Sequence, residues 1–71
     1  MKIKLLNDGD YGDMEGVNFP VTVDGEFDGV IYRVTAAELY RVGANSGTFS
    51  IGGDDEFQWA FLPVDHAVSA S

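Results

Sequence analysis

The chain has 71 residues, a net charge of −8 from twelve acids against four bases, and no cysteine. That excludes a disulfide framework, a thiolate zinc site and the clustered basic surface needed to bind nucleic acid or an anionic membrane directly. The length fits one domain, residues 1–71, near the lower limit at which an unaided core outweighs chain entropy. A hydrophobic share of 45% with nine aromatics is nonetheless too high for a disordered acidic tail.

In chain order, Ile3 and Leu5 mark a short first strand. The acids that follow Lys2 and Lys4 interrupt any signal-length apolar region, so neither a signal peptide nor a membrane span is expected, and the location expected is cytoplasmic. Val17, Phe19, Val21 and Val23 alternate with polar or proline positions, the period of a strand with one buried face. Pro20 has no amide to donate, which places that strand at an edge or a bulge. Val30, Tyr32 and Val34 alternate in the next strand. The Asp-Gly pairs at 24–25 and 28–29 suit a turn, so residues 17–34 read as a hairpin.

Thr35-Ala-Ala-Glu38 is a capping-box pattern that opens a short helix over residues 36–42. In it Glu38 reaches back to the Thr35 amide and pairs with Arg41, Leu39 and Val42 face the sheet with Ala36, and Gly43 ends the helix. Residues 44–47 read as a polar connection. Phe49 and Ile51, then Phe57, Trp59 and Phe61, read as a second hairpin across Gly52-Gly53-Asp54-Asp55, and residues 67–71 as a frayed tail. The fold expected is α+β and mainly β: a four- to five-stranded antiparallel sheet or open barrel with one short helix.

Ten of the twelve acids lie in three connections that contain no Lys or Arg. They are Asp8, Asp10, Asp13 and Glu15; Asp24, Glu26 and Asp28 at the tip of the first hairpin; and Asp54, Asp55 and Glu56 at the tip of the last. One reading is that Asp and Gly serve the turns and the charge only maintains solubility. The other is a binding surface, because Tyr11, Phe27 and Met14 are interleaved with these acids at positions the core pattern does not claim. Aromatic anchors inside a charged rim are typical of protein interfaces. In an extended segment Asp24, Glu26 and Asp28 would lie on one side about 6.6 Å apart, near the spacing of phosphates along one nucleic-acid strand.

Other chemistries fit less well. With Asp8 as the first position of a calcium loop, Gly12 falls at the fifth and Asp13 at the sixth, against the EF-hand order, which leaves only a loose calcium or magnesium site open at Asp8, Asp10, Asp13 and Glu15. His66 is the only histidine, so no metal site and no cofactor are assigned. Ser46, Thr48 or Ser50 with His66 lacks a nucleophile elbow or a second base, and no phosphate-binding loop is present, so no enzymatic activity is expected.

The stretch YGDMEGVNFPVTV, the Ala-Ala-Glu-Leu helix running to Gly43-Ala44, and Phe57-Gln-Trp-Ala-Phe61 together resemble small acidic proteins of tailed bacteriophages. That resemblance implies a host-takeover or counter-defence protein acting in the host cytoplasm. The expected function is non-enzymatic: occupation of a basic surface on a host nucleic-acid-binding or defence protein by the three acidic stretches with Tyr11 and Phe27, in the manner of a DNA or RNA mimic. The alternative is a structural or assembly module, a homo-oligomer included, that associates through the sheet edge near Pro20 or a face around Trp59.

Overall fold

A single buried residue pair sets the centre of the first sheet. Ile3 and Leu5 of β1 (Lys2–Leu5) are fully buried while Lys2 and Lys4 face solvent, the alternation expected of a half-buried strand. The computed structural model describes residues 1–45, 49–50 and 52–70. β1 pairs antiparallel with β2 (Val21–Asp24) on one side and with β6 (Ala67–Ser69) on the other. A second antiparallel sheet has β4 (Tyr32–Thr35) between β3 (Glu26–Phe27) and β5 (Gln58–Phe61). Among the described residues there are thus six strands in two three-stranded sheets, where the sequence predicts four or five in one sheet or an open barrel.

The expected hairpin over 17–34 is replaced by a switch between sheets. β2 belongs to the first sheet and β3 to the second, and only Gly25 separates them. A Cβ at Gly25 would lie 2.5 Å from the Arg33 carbonyl oxygen and 2.6 Å from Ile3 Cδ1, so the crossing backbones meet where only glycine fits. The true hairpin is β3–β4, whose tip is Asp28–Ile31. Val30, expected on the buried face, is exposed there, and Val17–Pro20 precede β2 as irregular chain ending in a cis Phe19–Pro20 bond.

Helix α1 (Ala36–Arg41) starts as predicted, with the Glu38 amide donating to Thr35 Oγ1 at 3.4 Å. It ends at Gly43, which has φ +117°. The Gly43 amide donates to the Tyr40 carbonyl and the Ala44 amide to the Leu39 carbonyl, the two bonds of a Schellman motif. Ala36 and Leu39 are buried and Val42 is half-buried. Glu38, however, does not reach back to Thr35. Its carboxylate accepts the Asp24 amide at 2.8 Å and pairs with Arg41.

Two expectations at the C-terminal side change. Ala67–Ser69, expected to fray, form β6, and Ala67 is fully buried beside Leu5. Phe49 lies outside any strand among the described residues yet is buried in the core, and β5 pairs with β4. Ile51, expected to share a strand with Phe49, lies outside the described residues, as do Ser46, Gly47, Thr48 and Ser71.

The core joins both sheets and the helix: Ile3, Leu5, Val23, Val34, Leu39 and Phe61 are fully buried. No helix among the described residues is long and apolar enough to cross a membrane.

Candidate functional site

The loop between β1 and β2 begins with a tight turn. Gly9 and Asp10 both have positive φ, and the Tyr11 amide donates to the Asp8 carbonyl at 2.9 Å, a turn of the I′ kind. The Asp8 carboxylate accepts the Asp10 amide, and Asn7 Oδ1 accepts the Gly9 amide. A 3-10 turn, Gly12–Met14, follows. Met14 is fully buried, and so belongs to the core and not to an interaction surface as its place in the sequence had implied.

Tyr11 is likewise structural. Its ring meets Phe49, Trp59 and Phe61 edge-to-face at centroid distances of 5.9, 5.5 and 5.4 Å, and its hydroxyl donates to the Ala60 carbonyl. Apart from partial exposure, nothing distinguishes it from a core aromatic. The contact fixes the acidic loop rigidly against β5. Phe27 differs: it leans on Tyr32 at 4.7 Å and remains 43% exposed.

The acids divide by their partners. Lys2 pairs with Asp24, Arg33 with Asp28 and Arg41 with Glu38, each at 3.0 Å. The Lys2 hydrogen bond holds the Asp24 carboxyl below its ordinary range. Asp28 is lowered chiefly by the amides of Ile31 and Val30, which donate to its Oδ1, and then by Arg33. Glu38 is lowered by Arg41 first and the Asp24 amide next. Asp24 and Asp28 therefore close the hairpin region and are not a free row of charges with Glu26. Gly25 also divides Asp24 from the other two, placing them in different sheets.

Three of the four bases are consumed in these pairs, so the whole net charge of −8 rests on nine other carboxylates and Lys4. Five of the nine are gathered at one end of the first sheet. Asp8, Asp10, Asp13 and Glu15 lie in the β1–β2 loop. Asp65, which lies outside the three acidic stretches, is brought beside them because Asn7 Nδ2 donates to its carbonyl at 2.9 Å and His66 Nδ1 lies 2.7 Å from Asn7 Oδ1. The only signal for this in the sequence is an Asn ahead of the acidic run, whose partner is 58 residues away.

The third stretch stands apart. Asp54 caps the Glu56 amide, Asp55 accepts the Ser50 hydroxyl, and the Asp55 and Phe57 carbonyls accept the Ala37 and Ala36 amides at the start of α1. Tyr32 pairs with Phe61 and Thr35 with Gln58, so the hairpin tip at 28–31 and the turn at 54–57 leave opposite ends of the same ladder. The second and third stretches therefore do not converge on one end of the sheet.

The β2 edge, one of the surfaces expected of an assembly module, is engaged internally at Thr22 and Asp24. The Met1 ammonium donates to the Gly25 carbonyl and the Gly25 amide to the Met1 carbonyl, which turns the backbone of Thr22 and Asp24 outward on β2. There Glu38 accepts the Asp24 amide and Arg41 donates to the Thr22 carbonyl, so α1 clamps that edge. Trp59 is half-buried, and its indole donates to the Phe49 carbonyl.

An open groove of about 380 Å³ lies under the acidic loop, lined by Leu6, Asn7, Asp8, Met14, Glu15, Val17 and Phe19. Among the described residues no three His, Asp or Glu side chains converge to hold a metal ion. The acids thus form a broad field and not a cage. Comparison with known protein families, with curated proteins and with solved structures finds no match to this chain.

Proposed function

We propose that the protein is a non-enzymatic acidic binding protein that occupies a basic surface of another protein, and that the loop Asp8–Glu15 with Asp65 is the part that does so. The observation that carries this reading is the division of the charge. Asp24, Asp28 and Glu38 hold three of the four bases, and five of the nine remaining carboxylates lie at the one end of the first sheet that also carries the groove. A field of one sign steers and orients a basic partner. The resemblance to small acidic phage proteins gives that partner a class: a host nucleic-acid-binding or defence protein, blocked in the host cytoplasm where DNA or RNA would otherwise bind.

The test is capture of partners from bacterial lysate at low and high salt, with wild type and with Asp13→Lys plus Glu15→Lys. The reading expects a nucleic-acid-binding protein that is retained at low salt, released at high salt, displaced by duplex DNA and lost with the double variant. Capture that is indifferent to salt and to the charge reversal contradicts it.

A further inference from the structure

Resting on that reading, the groove at the acidic end sharpens what the partner must present. Its apolar surface comes chiefly from Leu6, which is 37% exposed, and the half-buried ring of Phe19, with Val17 nearly buried and Met14 fully buried behind them. Asp8 and Glu15 stand in the same lining, and no base does. We infer that this groove receives an arginine side chain from the basic partner, its aliphatic stem against Leu6, Val17 and Phe19 and its guanidinium between Asp8 and Glu15.

The chemistry selects that occupant over others. A purely apolar side chain would strip water from two carboxylates and give them nothing in return. A lysine satisfies the charge, but as a compact, strongly hydrated ammonium. Arginine offers a planar fork of five donors, is more weakly hydrated, and has a stem long enough to cover apolar surface while its head meets carboxylate. The Asp10 amide uses only one acceptor site of Asp8, and a carboxylate has about four, so the capacity for a forked donor remains. The site is also preorganised. The turn at Gly9–Asp10, the Tyr11 anchor on β5 and the buried Met14 fix the loop before any partner arrives, which lowers the ordering cost of binding.

The experiment is a titration of the full chain, followed by amide and methyl NMR shifts, with a short amidated peptide of alternating Gly and Arg, and with matched Gly/Lys and Gly/Leu peptides. The expected result is shifts centred on Leu6, Val17 and Phe19, tightest with the arginine peptide and absent with the leucine one. Asp8→Asn with Glu15→Gln should weaken the arginine peptide about tenfold, whereas Asp54→Asn with Glu56→Gln, an equal loss of charge elsewhere, should stay within about twofold. Asparagine at position 8 keeps an acceptor for the Asp10 amide, and Glu15→Gln alone serves as a second variant. Equal weakening by the two pairs of substitutions, or shifts spread over all acidic loops, overturns the groove while leaving the proposed function standing. No peptide binding alongside salt-sensitive capture of a basic protein overturns it as well. Loss of both removes the groove and the function together.

Discussion

The loop 8–15 and the segment 24–28 look alike in sequence, each a run of acids around one aromatic, and the fold uses them in opposite ways. In the first, the aromatic is taken into the structure and the acids are left to solvent. In the second, the outer acids are bound by Lys2 and Arg33 and the aromatic is left half outside. The difference comes from what lies across from each segment. Tyr11 reaches a ring cluster on and beside β5, while the 24–28 segment runs past the bases of β1 and β4. Charge density alone does not identify a binding surface; what matters is whether the folded chain supplies counter-charges.

The largest expected effect separates the two aromatics. Tyr11→Ala removes three edge-to-face contacts and a hydroxyl bond, and should cost roughly 3–5 kcal/mol in denaturant unfolding. Phe27→Ala removes a side chain already 43% exposed and should cost about 1 kcal/mol or less. Comparable losses at the two sites would break the contrast.

Next in size is the clamp on β2. Glu38→Gln weakens the Arg41 pair and the bond from the Asp24 amide, and should lower stability by about 1–2 kcal/mol at neutral pH. Glu38→Ala bares the Asp24 amide and releases Arg41, which holds the Thr22 carbonyl, so sedimentation-velocity profiles of that variant should show added self-association. The pH dependence has a definite sign. The folded Glu38 carboxyl is held below its ordinary range, so its contribution is present above that range and is lost as pH falls through the folded value. The difference in Tm between wild type and Glu38→Gln should therefore shrink progressively as pH falls below the ordinary glutamate range. A gap that widens on acidification would contradict the role given to this pair.

The smallest effect lies at the acidic end. Val64 is a β-branched residue with φ +71° and is 75% exposed, in the turn beside Asp65. Val64→Asn suits that backbone better and should raise stability by about 0.5–1 kcal/mol in the same denaturant assay.

Local chemistry was legible in the sequence and long-range pairing was not. The Thr35 cap, the Gly43 terminus, the buried faces of Ile3 with Leu5 and of Tyr32 with Val34, and the strand around Trp59 all follow from patterns within a few residues. The sheet switch at Gly25 depends on the nearness of Ile3 and Arg33, which periodicity does not encode. β6 was missed because Ala-Val-Ser is too short and too small to announce a strand, and its burial comes from lying against β1. The neutralising pairs were hidden for the same reason: Lys2 and Asp24 are 22 residues apart, and the acidic stretch itself contains no base. The site residues Asp8, Asp10, Asp13 and Glu15 were readable as a cluster, but Asp65 joins them through long-range contacts, the Asn7 bond and the Leu6 amide on the His66 carbonyl.

The central claim is that the paired acids serve the fold and the unpaired acids serve a partner. It is tested most directly by measuring Tm and salt-sensitive partner capture on two variants of equal charge, Asp24→Asn with Asp28→Asn, and Asp13→Asn with Glu15→Gln. The account predicts that the first lowers Tm and retains capture, while the second holds Tm and loses capture. The opposite assignment, or capture lost equally in both, would contradict it.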